Sequence, residues 1–124
     1  MKATELRIGN SILINGEIVK EIGYGVITDF YQQRKGIKNP YLNTLKFEPI
    51  QLTEDWLIKF GFYLHENRPR PIYGNNSFIF IYKQDGIFWS DLMHGTMEIK
   101  SVHQLQNLFF ALTGEELKLR PTAA

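Results

Sequence analysis

Ser101-Val102-His103-Gln104-Leu105-Gln106-Asn107-Leu108-Phe109-Phe110-Ala111-Leu112-Thr113-Gly114 spells an amphipathic helix with both ends marked. Val102, Leu105, Phe109 and Leu112 recur at i, i+3, i+7 and i+10, which places them on one stripe of an α-helix. Ser101 stands where an N-cap belongs, and Gly114 where the chain leaves through a left-handed residue. The opposite side carries His103, Gln106, Asn107 and Phe110. An aromatic ring among amides gives this helix a second face, so His103, Asn107 and Phe110 are the candidate interface residues.

Upstream, Met97-Glu98-Ile99-Lys100 reads as a strand feeding that helix. Ser77-Phe78-Ile79-Phe80-Ile81-Tyr82 and Gly86-Ile87-Phe88-Trp89-Ser90, joined through Gln84-Asp85-Gly86, read as an antiparallel hairpin. Phe78, Phe80 and Tyr82 face one way, Ile79 and Ile81 the other. Both faces are apolar, which predicts a strand covered on both sides or a face covered by a partner. Phe62-Tyr63-Leu64-His65 starts a strand that Glu66-Asn67-Arg68-Pro69-Arg70-Pro71 cannot continue. Gly74-Asn75-Asn76 reads as a turn and Asp91 to Gly95 as a loop. Thr53 caps a short helix from Glu54 to Phe60, with Glu54 and Asp55 at its positive end and Gly61 as its stop.

The N-terminal part reads as β. Ser11-Ile12-Leu13-Ile14, the hairpin signal Asn15-Gly16, and Glu17-Ile18-Val19-Lys20-Glu21-Ile22 make two strands. Gly23-Tyr24-Gly25 reads as a bulge, and Val26-Ile27-Thr28-Asp29-Phe30-Tyr31 as a third strand. The expectation is a meander like those of SH3-type barrels. Residues 32–46 form a basic loop, and Phe47-Glu48-Pro49-Ile50-Gln51-Leu52 an edge strand. The fold class is α+β: an N-terminal SH3-like β-meander, a short helix, an antiparallel hairpin or sheet, and a C-terminal helix packed on it. One compact domain is expected over 1–124, with subdomains 1–52 and 53–120 and a tail at 121–124.

Composition narrows the function classes. With 44% hydrophobic and 14% aromatic residues the chain can bury a core. A net charge of +1 supplies no whole-molecule field for nucleic acid or membranes, so any such binding needs a local patch. The absence of cysteine excludes disulfides, thiolate zinc sites and cysteine nucleophiles. No apolar run reaches bilayer length and no secretory leader is visible, so a cytoplasmic location without membrane contact is expected.

Little in the sequence spells catalysis. His65, His94 and His103 show no metal-ligand spacing, and no cofactor motif is present. Ser90, Asp91 and His94 cluster locally, whereas working triads assemble from distant segments; a hydrolase is the minor alternative. The basic and aromatic residues say more. Arg34, Lys35 and Lys38 in one loop, and Arg68 and Arg70 in another, alternate with Tyr41, Tyr63 and Tyr73. Arginine forks and aromatic faces are what phosphate and base recognition use. The candidate ligand-binding residues are Arg34, Lys35, Arg68 and Arg70 for phosphates, with Tyr41, Tyr73 and Trp89 as stacking faces.

Three segments carry a resemblance: Leu6-Arg7-Ile8-Gly9-Asn10 with Asn15-Gly16-Glu17; Glu48 to Leu57 with Phe60-Gly61-Phe62; and Val102 to Leu117. The chain resembles a family of small uncharacterised proteins encoded by gut bacteria and their phages or prophages. The resemblance implies a compact accessory protein and carries no functional residue with it. Small phage accessory proteins often act by binding: they inhibit a host protein, coat nucleic acid or sequester a nucleotide signal of host defence. The expectation is a non-enzymatic, homo-oligomeric binding protein for an anionic nucleotide or short nucleic acid. The alternative is a protein–protein module or inhibitor of a host protein, acting through the C-terminal helix.

Overall fold

The Asn15-Gly16 pair folds as the sequence demands. Both residues take left-handed backbone, with φ of 51° and 80°, and close a tight hairpin between β1 (Ile12–Ile14) and β2 (Glu17–Val19). The structure, a computed structural model, describes residues 6–66, 71–75, 79–92 and 95–120. Among those residues it is α+β, with four helices and antiparallel sheets, and it divides into two compact units: Met1–Ile50 with Ser101–Leu108, and Gln51–Lys100 with Phe109–Ala124. Among the described residues no helix is long and apolar enough to cross a membrane.

The first unit corrects the expected meander. Its sheet has the order β2-β1-β3, and the third strand is β3 (Phe47–Glu48), paired antiparallel to β1. Val26 to Tyr31, expected as that strand, lies inside helix α1 (Tyr24–Arg34). Val26, Ile27 and Thr28 are β-branched and imitate a strand, but tertiary packing outweighs propensity here. Val26, Ile27 and Phe30 turn to one side and join Leu6, Ile12, Ile22 and Phe47 in the core. The rings of Phe30 and Phe47 meet edge to face, 5.3 Å apart. Gly23 is the N-cap of α1 and not part of a bulge. At the other end Gly36 has φ +77°, and the amides of Gly36 and Ile37 donate to the carbonyls of Gln33 and Gln32. That is a Schellman stop, and it ends the helix where the basic loop was expected to run.

Helix α4 (Val102–Thr113) caps and stops as its sequence announced. The Ser101 hydroxyl accepts from the Gln104 amide, and Gly114 leaves with φ +75°. Its first two turns bury the stripe residues Val102 and Leu105 and also the other face, His103 and Gln106. Gln106 and Asn107 reach the turn at Arg7–Asn10, which closes by a bond from the Asn10 amide to the Arg7 carbonyl with Gly9 at φ +94°. The Gln106 side chain accepts from the Ser11 amide at 2.8 Å and donates to the Gly9 carbonyl at 3.3 Å. Asn107 accepts from the Asn10 side-chain amide at 2.9 Å and from Arg7 Nε at 2.8 Å. Asn10, Ser11 and Gln106 are all buried, so these bonds satisfy groups that water cannot reach.

The second unit is a five-stranded antiparallel sheet in chain order: β4 (Tyr63–Glu66), β5 (Ile72–Gly74), β6 (Phe80–Gln84), β7 (Ile87–Leu92) and β8 (Gly95–Ile99). Strand β5 sits where a turn was expected to begin. Its three residues lie between Pro71 and Asn75, too short for alternation to show. Ile79 and Ile81 are buried, Phe80 on the other face is half exposed, and Tyr82 beside it is buried. Phe78, like the tail at 121–124, lies outside the described residues. Helix α3 (Glu54–Lys59) starts at Thr53 as expected and ends in a second Schellman turn at Gly61, φ +85°. The guanidinium of Arg120 lies over Gly61, and the Arg120 amide donates to the Lys59 carbonyl at 2.7 Å.

Two of these contacts are open to mutation. Gln106→Leu deprives the Ser11 amide and Gly9 carbonyl of this partner, and urea unfolding should show a loss on the order of 2–3 kcal/mol. A loss below about 0.5 kcal/mol would mean that the clamp is not needed. Gly61→Ala should cost about 1 kcal/mol through its left-handed backbone. Adding Arg120→Ala should not restore it, because the guanidinium can swing aside and the backbone cannot.

Candidate functional site

The Schellman stop of α1 sets the site. It turns the chain at Gly36 into a second, short helix, α2 (Pro40–Asn43), whose N-cap Asn39 accepts from the Tyr41 amide at 2.9 Å. Gln33 staples the two helices together: its side-chain amide donates to the carbonyls of Leu42 and Leu45, each at 2.7 Å. Leu42 is buried beneath this turn. The residues left outside are Tyr31, Arg34, Lys35, Ile37, Lys38 and Tyr41, all exposed. Arg34 bonds back to Gln33 and lays its guanidinium over the Phe30 ring, 4.8 Å from the centroid. That contact orients the guanidinium along the surface. Lys46, further on, lies 3.8 Å from Glu48.

Of the residues expected to bind phosphate or stack, Arg34, Lys35 and Tyr41 are brought onto this one helix–turn–helix segment. Arg68 and Arg70 lie outside the described residues, as does His94 of the Ser90-Asp91-His94 cluster. Trp89 is partly buried on β7 in the second unit, opposite Tyr82 and Glu98. Tyr73, expected as a stacking face, is 5% exposed, and its ring belongs to the interior. Its hydroxyl donates to Glu54 at 2.5 Å. The prolines before it, Pro69 and Pro71, make Tyr73 look like a loop residue in the sequence. It is instead the middle of β5, opposite Ile81.

The interface assignment is corrected in the same way. His103 is buried, and Asn107 is occupied by Arg7 and Asn10. Polar residues on the helix side opposite the apolar stripe read as a surface; here Gln106 and Asn107 bond the segment Arg7–Ser11, and His103 is buried. Phe110, at 40% exposure, is the member of that trio that faces out. Sequence reasoning missed Tyr24 and Tyr31, which share the exposed side of α1. The signal was present in Gly36 and the helix-forming run Gln32-Gln33-Arg34, but the β-branched triplet before it concealed the period. A groove of about 290 Å³ in the second unit, lined by Leu52, Ile87, Phe88, Glu98 and Lys100 among others, holds none of the expected site residues. Among the described residues no cluster of His, Asp or Glu could hold a metal ion.

The Tyr73–Glu54 pair carries a pH signature. Burial pushes the Tyr73 hydroxyl up from its ordinary 10.0 to about 12, and the hydrogen bond and charge of Glu54 push the same way. The folded value lies above the unfolded one, so the contribution is intact below pH 10 and lost as pH rises to about 12. Alkaline melting curves of the wild type should fall through that window, and the Tm gap to Tyr73→Phe should close there. A constant gap would contradict the assignment.

No protein-family model matches the chain, and no curated protein or solved structure matches it either.

Proposed function

We propose that this chain is a binding protein for an anionic, nucleotide-bearing ligand, and that the turn between α1 and α2 is its phosphate-binding face. The observation that carries the reading is the exposed set Tyr31, Arg34, Lys35, Lys38 and Tyr41 on one stapled segment. Three cations and two aromatic rings spread over residues 31–41, from the last turn of α1 to the start of α2, offer phosphate contacts and stacking faces on one segment. The near-zero net charge of +1 means that binding rests on this local patch and weakens quickly with salt. The resemblance to small accessory proteins of gut bacteria and their phages supports a role in holding a ligand rather than turning it over.

A second reading has one observation in its favour. The last turn of α4 exposes Phe110 and Leu112, at 40% and 42%, beside exposed Ala111. A short apolar tip of this kind suits a protein partner or a second copy of the chain.

The test is fluorescence anisotropy with labelled single-stranded DNA and with cyclic and linear nucleotides as competitors. The Lys35→Glu, Lys38→Glu double variant should lose at least about tenfold in affinity, and Lys35→Ala should lower the log–log salt slope by about 0.7. Both variants should keep the fold, since neither side chain is buried. Unchanged binding in the double variant would remove the site and leave the Phe110 tip as the working surface.

A further inference from the structure

Tyr24, Thr28, Tyr31 and Lys35 fall at i, i+4, i+7 and i+11, a single strip along the outer side of α1 that ends at the basic turn. Tyr24 is 76% exposed, the most exposed large apolar side chain described, and Tyr31 is 36% exposed. Between them the Thr28 hydroxyl donates to the Tyr24 carbonyl at 3.0 Å. The one carboxylate of α1, Asp29, sits off the strip, about 140° round the helix from Tyr24. Glu21 precedes the helix at the Tyr24 end. The strip is therefore graded, with bare aromatic surface at one end and the cations of Arg34, Lys35 and Lys38 at the other.

We infer that the ligand is a single nucleic-acid strand several nucleotides long, an inference that rests on the proposed phosphate-binding face of the turn. The strand runs along α1, with phosphates at the Lys35–Lys38 end and bases stacked on Tyr31 and Tyr24. Length decides the ligand class. Seven residues of helix separate Tyr24 from Tyr31 by about 10 Å, and a strand advances about 3.4 Å per stacked base. A mononucleotide whose phosphate sits at Lys35 reaches Tyr31 and stops there. Only a strand of about four nucleotides or more reaches Tyr24 as well. A duplex would bury its base faces and leave both rings without a use, so the strip selects unpaired bases. Within α1 the strip carries no carboxylate, Glu21 lies before the helix, and the cations stand at the far end, which supplies the charge complement.

The experiment is anisotropy of the full chain with thymidine oligonucleotides of about two to twelve nucleotides, in the wild type, Tyr24→Ala and Tyr24→Phe. Affinity should rise with length up to about six nucleotides and then level. Tyr24→Ala should lower affinity for the long strand by about 5- to 10-fold while leaving the dinucleotide unchanged, and Tyr24→Phe should restore it because the ring does the stacking. Circular dichroism of each variant checks that the fold is kept. Length dependence that survives in Tyr24→Ala would overturn the α1 track. Equal affinity for the dinucleotide and the long strand, still lost in the Lys35→Glu, Lys38→Glu variant, would overturn the strand and keep the phosphate site. No binding of either would end both.

Discussion

The Gln106 side chain holds two backbone groups of the first unit, the Ser11 N–H and the Gly9 C=O. Ser11 lies 95 residues away in sequence, so the bond closes the unit on itself. Asn107 completes the clamp by accepting from Asn10 and Arg7. The rest of the unit depends on it in order. The clamped turn fixes where β1 begins; β1 is the central strand of its sheet and presents Ile12 to the core; that core receives Phe30 and so sets the phase of α1. The outer strip of α1 is what remains when Phe30 is held. A buried polar network that is fully paired specifies one arrangement, because any slip leaves an amide unpaired at a cost of ~1–3 kcal/mol.

Two demands meet at the end of α1. Basic residues there complement the carbonyl end of the helix dipole, and Arg34 in the last turn fits that role. The same residues, with Lys38 across the turn, form the cationic end of an aromatic strip. The structural role needs no exposed tyrosines. Tyr31 meets the core ring of Phe30 edge to face, 6.3 Å between centroids, while Tyr24 stands 76% exposed; the proposed strand would stack on the outer side of both rings.

Much of the fold was legible where the sequence used rigid punctuation. Asn15-Gly16, Thr53 with Gly61, and Ser101 with Gly114 each mark an end by a backbone requirement that few residues meet, and each appears as read. Gly36 carried the same kind of mark, yet it was masked by Val26-Ile27-Thr28, whose branched side chains fit a strand as well as a helix. The site suffered from that error: a strand phase puts Tyr24 and Tyr31 on no common face, whereas helical spacing aligns them. Tyr73, His103 and Asn107 were misplaced for the opposite reason. Polar or half-polar side chains read as surface, and only the tertiary partners, Glu54 for Tyr73 and Arg7 and Asn10 for Asn107, explain their place inside.

The decisive experiment is a backbone amide NMR titration of the intact chain with a short single-stranded DNA. Shifts should concentrate on residues 24–41, along α1 and the turn into α2. The amides of β5, β6 and β7 in the second unit should hold their positions. Shifts concentrated on that sheet or on the Phe110 end of α4, with the α1 strip unmoved, would mean that the ligand does not bind along α1.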